Sequence, residues 1–339
     1  MNGAASRIVA PTREAIGRAA GLLREGRLVA FPTETVYGLG ADAGNVRAVR
    51  AIFDVKRRPG DHPLIVHVAD ATAAMRWSRV WPEGARALAD AFWPGPLTLI
   101  VPRAAHVADA VTGGQDSIGL RVPAHPVARA LLAAFEAAGG SGIAGPSANR
   151  FGHVSPTTAA HVASDLGGDV AMIVDGGESD VGIESTIVAF VDNRPVLLRP
   201  GFVARHALER VLGVTLRAHD ADAPRASGTL ASHYAPRTQA VLVAADALRT
   251  EIARRGERDE RTAVLARTSA APADFEGTWR QAPHDAKRYA HDLYASLREL
   301  DDAGADAILI EAVPESDEWL AIRDRLARAT HGNADDDRD

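Results

Sequence analysis

Short apolar runs alternate with helix-period segments through most of the chain's first two-thirds, and then follow one another with no helix between them. Leu28–Phe31, Leu64–Val68, Leu97–Val101, Ile118–Val122, Ile143–Gly145 and Ala171–Val174 are each too short for a helix and read as strands. Between them, helical spacing sets Ala15, Ile16, Ala19, Leu22 and Leu23 on one face behind Thr12. The same spacing sets Val46, Val49, Ile52 and Phe53 on one face behind Asn45, ending at Lys56. Thr12 and Asn45 are N-cap residue types, whose side-chain oxygens satisfy the first free amides of a helix. Further helices fall near 82–92, 125–138, 158–166 and 204–212. Thr186–Val191 and Val196–Leu198 then succeed each other directly, which argues against a uniformly parallel sheet. The expected fold is α/β, with a twisted mixed sheet.

The periodicity stops at residues 218–236, which carry Gly, Ser and Pro without an apolar face and read as a linker. A chain of 339 residues is expected to hold two domains. The first spans 1–217 and the second 237–332. In the second, strands at Ala240–Val243, Ala263–Ala266 and Ala307–Ile310 alternate with helices near 245–255, 284–302 and 317–329, a small Rossmann-like α/β pattern. Residues 333–339 are acidic and expected to be disordered.

Composition removes several chemistries. The chain has no cysteine, so disulfides, thiolate nucleophiles and Cys-ligated zinc are absent. A formal net charge of −6 argues against a surface built to grip nucleic acid. No apolar run approaches the roughly 20 residues that span a bilayer. Residues 1–7 lack a hydrophobic secretory segment, so a cytoplasmic protein without membrane contact is expected. There is no P-loop and no His-Glu-x-x-His, and no metal ligands are assigned. Gly38-Leu39-Gly40-Ala41-Asp42-Ala43 matches a loose dinucleotide pattern, but Pro32–Tyr37 separates it from the preceding strand, where a phosphate loop needs its first glycine directly after the strand.

Lysine occurs only at Lys56 and Lys287, among 38 basic residues. Lys56 stands in Lys56-Arg57-Arg58-Pro59, between a helix and the strand Leu64–Val68 with its lone polar His67. A lysine kept where arginine is otherwise used suits a compact ammonium that follows a moving phosphate, whereas arginine offers a planar fork. Polar groups gather at other strand ends. These are Pro32–Tyr37, Ser117 with Arg121, Ser147 with Asn149, and Gly182-Ile183-Glu184-Ser185. Carboxyl ends of strands are where ligands sit in α/β sheets. Together they point to a site for a small polar ligand and a nucleotide. Arg121 could equally be a buried ion pair or the partner of a substrate carboxylate.

In order along the chain, Pro32-Thr33-Glu34-Thr35-Val36-Tyr37-Gly38-Leu39, Lys56-Arg57-Arg58-Pro59 with Pro63–His67, Trp93-Pro94-Gly95-Pro96-Leu97-Thr98, Arg121-Val122-Pro123, Pro146-Ser147-Ala148-Asn149 and Gly182–Thr186 resemble the YrdC/TsaC family. Ser232-His233-Tyr234-Ala235-Pro236 and the domain after it resemble that family's long two-domain form. The resemblance implies a twisted sheet with a concave ligand face. It also implies synthesis of threonylcarbamoyl-AMP and pyrophosphate from L-threonine, bicarbonate or CO2, and ATP with Mg2+. The product would serve threonylcarbamoyladenosine formation in tRNA through downstream transferase proteins, with tRNA contact indirect or weak. By motif, Thr35, His67, Arg121 and Ser185 resemble the threonine contacts. Lys56, Arg58, His62, Ser117, Ser147, Asn149, Ser155, Arg199 and Tyr234 resemble the nucleotide side, with Lys56 and Arg58 in the catalytic role. The chain departs from the family pattern at His62, at Gly145 (commonly Ala) and at Ser227 (often Pro).

The chemistry implied needs no covalent residue, because a carbamate is already an anionic nucleophile; it needs alignment and neutralisation of phosphate charge. Mg2+ is expected to ride on phosphate and water, and residues 225–236 to cover the nucleotide, with Tyr234 touching it. An RNA-binding module is the alternative class, disfavoured by the net charge. Hydrogenase-maturation relatives carry Cys-rich zinc segments, which this chain lacks.

Overall fold

Thr12 and Asn45 cap helices as their residue types predict. The Thr12 hydroxyl accepts from the Ala15 amide at the head of α1 (Arg13–Arg24), and the Asn45 amide oxygen accepts from Arg47 and Ala48 at the head of α2 (Val46–Lys56). The structure, a computed structural model, describes residues 7–218, 223–230 and 233–331. The acidic segment 333–339 lies outside them. Two units emerge: the chain up to Phe151 with Ser155–Thr229, and Gly152–Val154 with the chain from Leu230 onward. The segment 218–236 is thus divided between them.

The strands of the first unit are β1 (Ile8–Val9), β2 (Val29–Phe31), β3 (Gly38–Asp42), β4 (Ile65–His67), β5 (Leu97–Pro102) and β6 (Ser117–Arg121). They continue with β7 (Ile143–Ala144), β8 (Met172–Val174), β9 (Thr186–Val191), β10 (Arg194–Arg199) and β11 (Arg217–Ala218). Helices α3 (Ala71–Met75), α4 (Glu83–Phe92), α5 (Asp109–Thr112), α6 (Pro126–Ala137), α7 (Ala159–Leu166) and α8 (Arg205–Leu212) connect them. One sheet runs β1-β8-β2-β3-β7-β4-β6-β5-β9-β10-β11. β4 pairs parallel with β6 and β5 with β9, while β5/β6, β3/β7 and β9/β10 are antiparallel. The mixed sheet inferred from the late strands is therefore present. Its core is continuous through Tyr37, Leu39, Ile52, Leu64, Val66, Leu99 and Leu120.

The glycine pattern at 38–43 is a strand, not a phosphate loop. β3 is buried and pairs antiparallel with β2. A Cβ on Gly40 would stand 3.0 Å from the Phe31 ring and from the Val29 carbonyl oxygen. The glycines here let an aromatic ring lie against backbone, a use the pattern alone does not distinguish from phosphate binding.

The second unit holds a parallel sheet of order β12-β15-β13-β14, from β12 (Gln239–Val243), β13 (Thr262–Ala266), β14 (Thr278–Gln281) and β15 (Ala307–Glu311). Helices α9 (Leu248–Gly256), α10 (Ala286–Asp301) and α11 (Leu320–His331) accompany it. This is the small Rossmann-like pattern, with β14 added. Thr278-Trp279-Arg280-Gln281 is an edge strand and only partly buried, so it lacks the apolar run that marks its neighbours. Among the described residues, no helix is long and apolar enough to cross a membrane.

Candidate active site

Lys56 is the last residue of α2, and the way that helix ends turns it inward. Arg57 takes a left-handed conformation (φ 54°), and the Arg58 amide bonds back to the Phe53 carbonyl at 3.0 Å. Lys56 is 1% exposed, and its Nζ donates to the carbonyls of Ser147 and Asn149, each at 2.6 Å. That turn is itself fixed: Leu39 N bonds Pro146 O at 2.7 Å and Ala148 N bonds Tyr37 O at 2.9 Å. Burial, with the Arg58 charge adding to it, pushes the Lys56 amine well below the usual lysine range. The Ser147 and Asn149 contributions here are backbone carbonyls; the Asn149 side-chain amide donates to Arg150 O at 2.8 Å.

Arg58 and Arg199 meet at one residue of the 223–230 segment. Arg58 Nη2 donates to Ser227 Oγ at 3.3 Å and Arg199 Nη1 to Ser227 O at 2.8 Å, while Ser227 Oγ donates to Pro63 O at 2.8 Å. Nearby, Arg225 pairs with Asp61 at 3.1 Å and exchanges bonds with Gln115. Ala226 is buried against Ile100, Ile187 and Val196. Arg58 Nη2 also donates directly to Pro63 O at 3.1 Å; a proline at 227 would lack the hydroxyl that both groups bond, so this departure from the family pattern has a structural use. Ser117 is half-buried and lines a small cavity with Pro63, Gly119 and Ser227. His62 lies edge-on to Phe151, and burial together with the Arg58 charge holds it below the usual histidine range.

At the end of β6, opposite His67 of β4, Arg121 is paired. Its Nη2 donates to Glu34 Oε1 at 2.7 Å, with side chains 5% and 7% exposed. Glu34 Oε2 accepts from the amides of Ala124 at 3.0 Å and His125 at 3.4 Å. Burial raises the Glu34 pKa, but the charge and hydrogen bond of Arg121 outweigh it and hold the carboxyl below its ordinary value. Of the two sequence readings of Arg121, the buried ion pair is the one present here. Thr35 Oγ1 lies 2.9 Å from Thr33 Oγ1, whose own hydroxyl reaches Val36 O at 2.6 Å. Ser185 Oγ lies 2.8 Å from Thr98 Oγ1 and 3.2 Å from Arg199 Nη2. Ser155 Oγ contacts the buried Glu184 at 2.6 Å.

His67 is buried, edge-on to Phe31, and its Nδ1 has no hydrogen-bond partner among the described residues. A Cβ on Gly145 would stand 2.9 Å from that nitrogen, so the glycine found where Ala is common makes room for the imidazole. Burial, then the neighbouring Arg121 charge, push its pKa down to about 3 from 6.5. The folded ring is neutral, whereas an unfolded imidazole takes up a proton on passing below 6.5. Its stabilisation is complete above that value and lost as pH falls toward 3, at up to about 1.4 kcal/mol per unit. Chemical denaturation at pH 7 and pH 5 should show the stability gap between wild type and His67→Asn shrinking by about 2 kcal/mol at the lower pH.

Tyr234 belongs to the second unit. It is 1% exposed, stacks on Tyr294 at 5.7 Å, lies under Arg325 at 5.2 Å and has φ 62°. A bulky residue in the left-handed region is strained, a feature that clusters at functional segments. Motif reading gave no role to Glu34, Thr98 or Glu184, although each lies inside a quoted motif. A carboxylate flanked by Thr33 and Thr35 was the available signal. Among the described residues no group of His, Asp and Glu could hold a metal, since Glu34 is engaged by Arg121 and Glu184 by Ser155.

The fold and these residues define an α/β protein with buried cations and hydroxyls at the strand ends of its mixed sheet, and comparison gives its family. The family model described as Telomere recombination (Sua5/YciO/YrdC) matches residues 21–201, and the one described as Threonylcarbamoyl-AMP synthase, C-terminal domain, matches residues 203–331. The chain belongs to the Sua5/YrdC family of threonylcarbamoyl-AMP synthases. It is 40% identical to the Threonylcarbamoyl-AMP synthase of Pyrococcus abyssi, over 92% of this chain and 93% of that one. It is also 40% identical to the Bacillus subtilis protein of the same name, over 94% and 93%. A crystal structure of P. abyssi Sua5 complexed with L-threonine superposes with a TM-score of 0.88, at 39% identity over 95% of this chain and 97% of that one.

Proposed function

We propose that this protein is a threonylcarbamoyl-AMP synthase, using L-threonine, bicarbonate or CO2, and ATP. The observation that supports the reading is the buried link from Arg58 through Ser227 to Arg199 and on to Ser185, in a chain 40% identical to two threonylcarbamoyl-AMP synthases. The threonine amine adds to CO2, forming the N–C bond of a carbamate and releasing a proton. A carbamate oxygen then attacks the α-phosphorus of ATP, and the bond from that phosphorus to the bridging oxygen breaks to release pyrophosphate. Arg121 meets the threonine carboxylate, with His67, Thr35 and Ser185 around it. Lys56, Arg58 and Arg199 face the phosphates, with His62, Ser117, Ser147, Asn149, Ser155 and Tyr234 on the nucleotide side. Their task is to align the reactants and neutralise growing charge. Mg2+ fits as a phosphate- and water-held ion, since Glu34 and Glu184 are already engaged by Arg121 and Ser155; bound there, it would offset triphosphate charge. The protein acts in the cytoplasm and hands its product to transferase proteins that modify tRNA next to the anticodon. Labelled bicarbonate should enter an AMP-bearing product only when threonine is present; label-free AMP would sink this reading.

Residues 223–229 act as part of a lid in this proposal. Ser227 engages Arg58 and Arg199, the groups a triphosphate needs, so the segment already lies over those cations and can close on a nucleotide they hold. Closure shields a labile mixed anhydride from water. Limited proteolysis within 218–236 should slow when threonine and ATP are both present. Equal cleavage rates, with full activity in Tyr234→Ala, would make the segment a tether only.

A further inference from the structure

Hydroxyl bonds around Ser185 can be assigned by counting valences. Arg199 Nη2 lies 3.2 Å from Ser185 Oγ, and a guanidinium only donates, so Ser185 accepts there. Thr98 Oγ1 lies 2.8 Å from the same oxygen, and either hydroxyl could be the donor. Thr98 is 0% exposed, and among the described residues its hydroxyl has no other hydrogen-bond partner. Were Ser185 to donate, the Thr98 hydrogen would be buried without an acceptor, at the full desolvation cost of a polar group. Donation from Thr98 instead leaves the hydrogen of Ser185, itself 1% exposed, without an acceptor among the described residues, so both hydroxyls are satisfied together only when Thr98 donates and a ligand oxygen meets Ser185. Ser185 then accepts twice, from Arg199 and Thr98, which uses both lone pairs and leaves its single hydrogen for a third group.

We propose that Thr98 is a positioning residue that, with Arg199, makes Ser185 an obligate hydrogen-bond donor toward an anionic oxygen of the amino-acid substrate. The wiring fits a carboxylate or carbamate oxygen and rejects the ammonium group, which only donates. It therefore sets which end of the substrate faces Ser185. Thr98 does this from the core, through Ser185, without touching substrate. The inference rests on the reading of Ser185 as a threonine contact.

Thr98→Val removes the hydroxyl at nearly constant volume and frees the Ser185 hydrogen to turn toward other acceptors. It should raise the KM for threonine about tenfold and leave the KM for ATP unchanged. Thr98→Ser should restore threonine KM, and Ser185→Ala should raise it, with Thr98→Val adding nothing in the double variant. Should Thr98→Val fail to fold, Thr98→Ala removes the same hydroxyl and carries the same expectation. A raised threonine KM in Ser185→Ala beside an unchanged one in Thr98→Val overturns the role of Thr98 alone. An unchanged KM in Ser185→Ala overturns the Ser185 reading and this inference with it. Equal rises in both substrates' KM for Thr98→Val would reduce Thr98 to a packing residue.

Discussion

Lys56→Ala should lose pyrophosphate release by on the order of a hundredfold or more, with the fold retained at reduced stability. The loss follows from removing a compact donor held beside Arg58 at the 147–149 turn; burial pushes its amine toward the neutral form, and an anionic phosphate would return it to the charged one. The stability cost follows from the carbonyls of Ser147 and Asn149, which would lose their donor. Lys56→Arg should recover only a small part. The site holds the ammonium between two carbonyls at 2.6 Å with the side chain 1% exposed, so a planar fork neither fits nor follows a moving phosphate. Steady-state pyrophosphate release alongside a melting curve separates the two effects. Wild-type turnover in Lys56→Ala would remove Lys56 from the chemistry.

Arg121 should show the largest effect on threonine, but a single truncation is a poor probe of it. Arg121→Ala leaves the buried Glu34 carboxylate without its cation, and breaking such a pair costs about 3–5 kcal/mol of stability. Glu34→Gln keeps an oxygen for the Ala124 amide while removing the charge. The double variant Arg121→Met with Glu34→Gln is therefore expected to fold. It should weaken threonine binding by about 2–4 kcal/mol, roughly 30- to 1000-fold, and ATP binding far less. Calorimetric titration with each ligand reads both. Equal losses for threonine and ATP would leave Arg121 a structural ion pair and nothing more.

The fold was legible wherever a residue pattern has one physical cause. Thr12 and Asn45 announce helices because their side chains cap them, and the adjacent late strands, Thr186–Val191 and Val196–Leu198, cannot belong to a purely parallel sheet. Legibility failed where the cause lies elsewhere in the molecule. β3 is glycine-rich because Phe31 packs against it, and β14 is polar because it is an edge strand with little to bury. In the site, motif reading selected Lys56, Arg121 and Ser185 but not the residues that hold them. Glu34 lies 87 positions from Arg121, and Thr98 lies 87 positions from Ser185. A pairing at that separation is set by strand order, which a linear pattern does not contain. Gly145 and Ser227 read as unexplained departures until the His67 ring gave one a neighbour and the bonds of the Ser227 hydroxyl to Arg58 and Pro63 gave the other its partners.

Pyrophosphate release in CO2-free buffer, with threonine, bicarbonate and ATP omitted in turn, tests the central claim most directly. The account predicts release only when all three are present, in step with formation of threonylcarbamoyl-AMP. Release that persists without bicarbonate would mean adenylation of threonine itself, and release from ATP alone would mean simple hydrolysis. Either result would contradict the carbamate as the group that attacks the α-phosphorus.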